Sequence, residues 1–231
     1  MISRRAFLLT AAATPAAVLL APGTASAGHW PIILSDPTLR LHGPVMFIGD
    51  STSSRLWHTM RKDFAAAGIG PFRLDLQPGR SISRRAGWGT NAIASVRAAR
   101  LSGFDPNAYV VAGGFPDILR SRYNRSPIVT ADGLVGLIEP LLAEIGPDRT
   151  VAFLNLYSAK RKVPTRQFNE ALARLALTWP NLSVVDWAGL ARRHRGWHIA
   201  DGYHFSFSGA RQRQKFIART MINATTTETT P

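Results

Sequence analysis

Three polar residues near the two ends of the chain have the types that nucleophilic catalysis requires. Ser51 follows the apolar run 44–49, and Asp201 and His204 lie three residues apart near the carboxyl end. A serine hydroxyl is a weak nucleophile until a base within hydrogen-bond reach removes its proton. A carboxylate can hold the imidazole of such a base in the required tautomer. We therefore predict Ser51 as the nucleophile, His204 as its base and Asp201 as the residue that orients His204.

Each of these residues also has an alternative explanation. A single serine after a strand is more often the N-cap of a helix, and a single histidine is more often an ordinary surface or core residue. Metal binding is a second alternative, because His194, His198, Asp201 and His204 are ligand types at close spacing. The segment 195–197 disfavours a regular helix there, and the nearby arginines oppose a bound cation. We therefore expect neither a metal nor a cofactor.

The elements that must position these residues alternate along the chain. Continuous apolar runs predict strands, and each is followed by apolar residues at helical spacing. Strands that are apolar on both faces are typical of a parallel sheet with helices on both sides. We predict an α/β fold, a three-layer α/β/α sandwich with a five-stranded parallel sheet. The predicted strands are 44–49, 72–77, 108–114, 150–157 and 182–187, and the predicted helices are 53–67, 91–101, 131–145, 165–179 and 208–221.

The segments that follow these strands are the places to expect a site. Functional groups of open α/β sheets gather beyond the carboxyl ends of the strands. Ser51 would lie there at a helix N-terminus, where its own N–H can face a developing oxyanion. From the same group of segments we predict substrate contacts for Asp50, Gly114 and Tyr203. Aromatic residues flank these segments and can stack on sugar rings, with core packing as the alternative; they are Trp88, Trp197, Tyr203 and Phe205.

Two short motifs carry a resemblance to a known superfamily. GDSTS at 49–53 and DGYH at 201–204 resemble the SGNH, or GDSL-type, hydrolases, and the likeness covers essentially the whole chain after residue 27. The resemblance implies a flavodoxin-like fold and acyl-ester chemistry by Ser51, His204 and Asp201. It also implies that the Gly79 N–H is a donor of the oxyanion hole. The segment 76–82, together with Val185-Asp186-Trp187, is similar to the SGNH domains of envelope polysaccharide O-acyltransferases.

A third motif of that superfamily, which follows the third predicted strand, is altered in this chain. The pattern G-x-N-D places an asparagine donor in the oxyanion hole, whereas this chain has Gly114-Phe115-Pro116-Asp117. Pro116 offers neither a side-chain donor nor an N–H, and the loss of one such donor typically costs about 10²–10³ in rate. Asn155, after the fourth strand, is a candidate replacement, although an ordinary strand-end role is the simpler explanation. Two functions stay open: an esterase or O-acyltransferase, and a module that binds envelope polymers without turnover.

The first 27 residues predict export by the twin-arginine route. Arg4 and Arg5 precede the apolar run 8–20, and Ala25-Ser26-Ala27 is typical of a cleavage site, with an uncleaved anchor as the alternative. After cleavage we expect no transmembrane segment, one domain over 28–222 and a disordered tail over 223–231. The predicted location is periplasmic, cell-wall associated or secreted. The chain has no cysteine, so no disulfide stabilises it there.

The chain is strongly basic. Its formal net charge is +14, and the only charged residues of 1–27 are Arg4 and Arg5. Such a charge favours anionic surroundings, although a solvated basic surface is the alternative. Small clusters occur at 80–85, 160–162 and 192–195. We expect an acyl ester of a carbohydrate or lipid as substrate and an anionic envelope polymer as partner. No nucleic-acid motif is present, so no specific nucleic acid is expected.

Overall fold

The computed structural model describes residues 33–34, 43–84, 90–119 and 124–226, and its centre is a six-stranded sheet in the order β1-β3-β2-β4-β5-β6. Strands β2 to β6 are parallel, which confirms the predicted five-stranded parallel sheet. An additional two-residue strand pairs antiparallel with β3 at one edge. The strands are β1 Ile33–Leu34, β2 Val45–Gly49, β3 Phe72–Leu76, β4 Ala108–Ala112, β5 Thr150–Leu154 and β6 Leu182–Val185.

Helices cover both faces of the sheet, as the apolar strands require. Successive strand residues point to opposite faces, so Ile48 packs with α2, α4 and α5 while Phe47 packs with α1, α6 and α7. The side chains thus form two core clusters, one on each face of the sheet, and the members of both are almost fully buried. The helices are α1 Trp57–Ala66, α2 Ala92–Leu101, α3 Phe115–Ile118, α4 Ala131–Ile145, α5 Lys162–Thr178, α6 Trp187–Arg193 and α7 Phe207–Thr226.

The register of the sheet places three strand ends side by side. Gly49, the last residue of β2, pairs with Leu76 of β3 and with Ala112 of β4. The chain leaves β2 to form β3 on one side and later returns to form β4 on the other side. Such a reversal of strand order opens a crevice at the carboxyl ends of the strands. The segments that begin at residues 50, 77 and 113 therefore share one edge of the sheet.

Several element boundaries differ from the predicted ones. Ser51–Ser53 form a 3-10 turn, so α1 begins at Trp57 instead of residue 53. Trp187 begins the unpredicted helix α6 instead of ending a strand, because the Asp186 side chain caps this helix by accepting from the Gly189 N–H. Helix α7 continues to Thr226 and so includes the first residues of the predicted disordered tail.

The predicted export segment 1–27 and the last residues, 227–231, lie outside the described part of the chain. Within the described residues, no helix combines the length and the apolar character that a membrane span requires.

Candidate active site

Ser51 lies in a 3-10 turn directly after β2, and Asp50 stabilises that turn. The Asp50 Oδ1 accepts the Thr52 N–H at 2.8 Å and the Thr52 hydroxyl at 2.7 Å. These bonds satisfy donors at the start of the turn, as an N-cap residue does. Asp50 is 0% exposed. Its buried side chain therefore stabilises the turn from the protein interior, and the substrate contact that the sequence predicted for Asp50 stays a prediction.

The three residues predicted for catalysis form one continuous chain of hydrogen bonds. The Ser51 Oγ lies 2.8 Å from His204 Nε2, and His204 Nδ1 lies 2.6 Å from Asp201 Oδ2. The other Asp201 oxygen accepts the N–H groups of Tyr203 and His204 at 3.0 and 2.9 Å. The side chains of His204 and Asp201 are 30% and 34% exposed. The chain of bonds has the geometry of a nucleophile, its base and an orienting carboxylate, and it is open to solvent.

Asp201 is held in its ionised form by its surroundings. Burial alone would raise the pKa of Asp201, but hydrogen bonds from the Tyr203 N–H and from His204 lower it below its usual value. The turn that makes these bonds depends on Gly202, whose φ of +83° favours glycine. The Gly202 carbonyl accepts the Ala159 N–H at 3.1 Å, which ties this turn to the segment after β5. An ionised Asp201 favours the His204 tautomer with the proton on Nδ1.

Gly79 lies in a turn after β3 that buried ionic contacts hold in place. Its φ is +75°, and an added Cβ would meet nothing within 4 Å, so the backbone and not crowding requires glycine. The neighbouring Arg80 is 4% exposed and lies 2.5 Å from Asp75. Arg80 belongs to the basic cluster 80–85 of the sequence, but its side chain is buried and does not contribute to a solvated surface. Ser81 on the next position donates to Asp117, which joins this turn to α3.

Asp117, the last residue of the third motif, is a buried carboxyl that contacts the turn after β3. Burial raises its pKa to about 6, although hydrogen bonds from Ser81 and the Ile82 N–H oppose the shift. The Asp50 charge raises the pKa further, and Arg84 lowers it. The folded protein therefore holds this proton more tightly than the unfolded chain does. Asp117 therefore lowers the free energy of unfolding as the pH rises from about 4 to about 6.

The substitution Asp117→Asn should remove this pH dependence. A shift from 3.8 to about 6 corresponds to roughly 3 kcal/mol. The free energy of unfolding of the variant, minus that of the wild type, should rise by up to this amount between pH 4 and pH 7. Urea unfolding at unit pH intervals measures it, with Asp105→Asn at an exposed ion pair as the control. Parallel pH curves for wild type and Asp117→Asn would show that Asp117 titrates normally.

The third motif provides a tight turn but no side-chain donor at its third position. Gly114 has a φ of +124°, and an added Cβ would lie 2.4 Å from the Phe168 ring, so backbone conformation and packing both require glycine here. The substrate contact predicted for Gly114 stays a prediction. Pro116 lies in the first turn of α3, and its carbonyl accepts from Asn124 Nδ2 at 2.7 Å.

Asn155 does not take the place of the missing asparagine. Its Nδ2 donates to Asp186 at 2.9 Å and its Oδ1 accepts the Ala188 N–H at 2.6 Å. These bonds connect the end of β5 to the start of α6, so the Asn155 side chain has a structural role at the end of the strand.

The predicted aromatic contacts separate into one residue at the site and others in the core. Tyr203 is half-buried, stacks on Phe115 with ring centroids 5.0 Å apart and lies 4.3 Å from the His204 ring. Burial, followed by the charges of Asp201 and Asp50, raises the pKa of Tyr203, so it remains a neutral donor. Trp197 and Phe205 instead pack against Trp187. Trp88 lies outside the described residues.

Sequence reasoning missed Arg213, a buried cation behind the nucleophile. Arg213 on α7 is 2% exposed; its Nη2 donates to the Thr52 hydroxyl at 3.3 Å and its Nε to the Ser53 hydroxyl at 3.4 Å. Its guanidinium also lies 4.9 Å from the centre of the Trp187 ring. Burial lowers its pKa to about 10, and the Asp50 charge opposes this. A signal exists in the sequence, because Arg213 falls on the apolar stripe of α7 with Ala210 and Ile217.

A metal site was the alternative explanation of the histidines near His204. Among the described residues, no group of three or more His, Cys, Asp or Glu side chains is arranged to hold a metal ion. His194 stacks on Trp197 at 4.1 Å. The His198 ring lies between Tyr157 and Phe205, and burial together with Arg213 lowers its pKa.

The strand order and the likeness to solved structures establish the SGNH hydrolase fold, which confirms the fold that the two sequence motifs implied. Among solved structures, a lipase/acylhydrolase from Enterococcus faecalis has a TM-score of 0.58 at 18% identity, covering 78% of this chain and 95% of that chain. The C-terminal catalytic domain of Streptococcus pneumoniae peptidoglycan O-acetyltransferase A, with a methylsulfonyl adduct, has a TM-score of 0.56 at 17% identity and 80% and 93% coverage.

A carbohydrate esterase family 3 protein from Talaromyces cellulolyticus is similar at a TM-score of 0.55 and 20% identity, covering 78% of this chain and 96% of that chain. At such identities the likeness establishes the fold. Sequence comparisons add nothing further, because neither a family model nor a curated protein matches the chain.

Proposed function

We propose that the protein is an exported serine esterase that hydrolyses or transfers acyl groups on a carbohydrate or lipid ester of the cell envelope. The observation that carries the proposal is the hydrogen-bond chain from Ser51 through His204 to Asp201 at the carboxyl edge of the sheet. A structural serine needs no imidazole at 2.8 Å, and a structural histidine needs no ionised carboxylate on its other nitrogen. The joint occurrence of both contacts supports catalysis over either single role.

The proposed reaction passes through an acyl-enzyme. Ser51 Oγ attacks the acyl carbonyl while His204 Nε2 takes its proton, and the N–H groups of Ser51 and Gly79 hold the oxyanion of the tetrahedral intermediate. The intermediate collapses when the carbon–oxygen bond to the alcohol breaks and His204 returns the proton to that alcohol. Water or a sugar hydroxyl then attacks the acyl-Ser51 ester by the same steps in reverse. The choice between these two acceptors separates hydrolysis from transfer.

Two observations support an envelope carbohydrate ester as substrate. Two of the structural neighbours are described by their names as a peptidoglycan O-acetyltransferase and a carbohydrate esterase. The side chains of His204 and Asp201 are about one third exposed, which suits an ester on a large polymer better than a substrate that must be engulfed. The Arg4-Arg5 pattern and Ala25-Ser26-Ala27 support export by the twin-arginine route.

Covalent labelling tests the proposal directly. A fluorophosphonate probe should modify the wild-type protein once, at Ser51, because only an activated serine attacks phosphorus at a useful rate. Intact-mass spectrometry followed by peptide mapping measures the adduct, and Ser51→Ala should show none. Ser54→Ala is a matched control, since Ser54 lies three residues away and donates only to the Ser51 carbonyl. Absence of labelling, together with no hydrolysis of short-chain nitrophenyl esters, would reject the enzyme.

Pro116 favours a second candidate function, a module of the same fold that binds envelope polymers without turnover. The side-chain donor of the superfamily pattern is missing at this position, and Asn155 is engaged elsewhere. A module without catalysis has no reason to retain Ser51, His204 and Asp201 in hydrogen-bonded contact, so the esterase remains the better supported function.

The substitution Pro116→Asn distinguishes a weakened enzyme from one with a complete oxyanion hole. A restored donor can raise kcat by up to about 10²–10³, and we expect less than this because the asparagine must find its rotamer unaided. The rate with short nitrophenyl esters should rise above the wild-type rate, with Ser51→Ala as the zero point. A wild type that is already fast and is unaffected or slowed by Pro116→Asn would mean that another donor completes the hole. Rates that never exceed Ser51→Ala would favour the binding module.

A further inference from the structure

Two basic clusters that lie 30 residues apart in the sequence meet around one cavity. Lys162 and Arg166 come from the first turns of α5, whereas Arg192 and Arg195 come from the end of α6 and the 3-10 turn after it. All four side chains are exposed and line a cavity of about 800 Å³. We call this cavity, with these four residues, the basic pocket. Its volume is in the range of ordinary ligand sites.

The positive charge of the basic pocket is not neutralised by nearby carboxylates. None of its four cations forms an ion pair with a carboxylate of the described residues. Among the described residues that line the cavity, Glu170 is the one acidic residue, and its carboxylate accepts a hydrogen bond from Arg174. The Asp186 carboxylate lies near Arg192 and Arg193 and offsets part of their charge, while its Oδ1 accepts from Asn155 Nδ2 and from the Gly189 N–H.

The first turn of α5 adds to this field. It contains no acidic residue, and its N-cap, Arg161, makes no side-chain capping bond. The partial positive charge of the helix N-terminus therefore acts in the same direction as the four side chains. The pocket as a whole favours an anion.

The basic pocket is connected to the proposed catalytic residues through a short segment. Residues 156–158 line the pocket, and the ring centroids of Tyr157 and His198 are 5.2 Å apart. Ala159 donates to the Gly202 carbonyl at 3.1 Å, and the Ile199 N–H donates to the His204 carbonyl at 3.0 Å. These two bonds link the chain after the pocket-lining residues 156–158 to the turn that carries Asp201 and His204.

We propose that the basic pocket binds carboxylate or phosphate groups of an anionic glycan, and that this glycan carries the ester presented to Ser51. The inference rests on the proposed function only for its second half, because the binding of the glycan does not require turnover. Arginine donates paired N–H groups to carboxylate and phosphate oxygens, whereas lysine acts as a point charge. The solvated-surface explanation of the two clusters predicts no such binding.

Binding is measured with the Ser51→Ala protein, so the result does not depend on catalysis. Isothermal titration calorimetry at low and high salt compares oligogalacturonate, a glycerol-phosphate oligomer and fully methyl-esterified oligogalacturonate as the neutral analogue. One or both anionic oligomers should bind more tightly than the neutral one, and salt should weaken them. The pocket variant Arg166→Gln/Arg195→Gln should lose about tenfold in affinity, with roughly half of this effect from each exposed charge.

The variant Arg61→Gln/Lys62→Gln is the matched control. It removes the same charge from exposed positions on α1, a helix that contributes no residue to the lining of the basic pocket. It should keep the affinity for the anionic oligomers within about twofold. Equal losses in both variants, or equal affinity for charged and neutral oligomers, would overturn the pocket assignment. A single-stranded oligonucleotide that binds as tightly as the glycans, with the same dependence on the pocket, would overturn the glycan assignment.

The labelling of Ser51 separates this inference from the proposed function. Failed labelling with pocket-dependent glycan binding would reject the esterase and keep the glycan site. Successful labelling without pocket-dependent binding would keep the esterase and reject the site.

Discussion

The substitution Asp201→Asn is expected to lower kcat by about 10⁴ on every ester that the wild type hydrolyses. The asparagine oxygen can still accept the N–H groups of Tyr203 and His204, as Asp201 Oδ1 does now. Its amide nitrogen then faces His204 Nδ1 at the position where Oδ2 lies 2.6 Å away. An amide donor at that position forces the His204 proton onto Nε2. That nitrogen can then no longer take the proton of Ser51.

Steady-state hydrolysis of a short nitrophenyl ester measures this effect, and the drop should appear in kcat more than in KM. Asp105→Asn is the control, since Asp105 is 58% exposed and makes surface ion pairs with Arg149 and Arg100, far along the chain from the proposed catalytic residues. This control should keep the wild-type rate. An Asp201→Asn protein that retained more than about a tenth of the wild-type kcat would contradict the assignment of Asp201 as the orienting residue.

The substitution Arg213→Met is expected to cost about 3–5 kcal/mol of the free energy of unfolding, the range for a buried charge that loses its partner. Arg213 donates to the hydroxyls of Thr52 and Ser53. The Thr52 hydroxyl in turn donates to Asp50, which is fully buried and has one oxygen without a hydrogen-bond partner among the described residues. Without the guanidinium, the Asp50 charge stays in the interior without a compensating cation. Methionine fills most of the volume, so the loss reports charge more than a cavity.

Urea unfolding at pH 7 measures this loss, and Arg219→Met is the control on the same helix, because Arg219 is exposed. The control should change the free energy of unfolding by less than about 0.5 kcal/mol. The double variant Asp50→Asn/Arg213→Met should recover part of the loss, because it removes the uncompensated charge. Equal effects of Arg213→Met and Arg219→Met would mean that Arg213 does not compensate the buried Asp50 charge.

Most helices and strands could be predicted from the sequence because the buried face of each one appears as a local pattern of apolar residues. The parallel strands are short apolar runs, and helices such as α2 and α4 show apolar residues at the spacing of one face. The predicted boundaries were less accurate at Trp57 and Trp187, because the Asp50 side chain caps the 3-10 turn Ser51–Ser53 and the Asp186 side chain caps helix α6. Hydrogen bonds of this kind compete with the strand or helix that the apolar pattern favours.

The sequence by itself determined the chemistry that this chain offers: a serine after the first strand, a D-x-x-H motif before the last helix, and a proline where an asparagine was expected. Tertiary structure decided which of these groups meet. It placed Ser51 and His204, 153 residues apart, at 2.8 Å, and it turned Asn155 toward Asp186 and away from the site. It also buried Asp50, Arg80, Asp117 and Arg213, and it joined two basic clusters around one cavity. The physical reason is that periodicity reports the apolar face of one element, whereas partners and burial of a charge depend on which elements become neighbours.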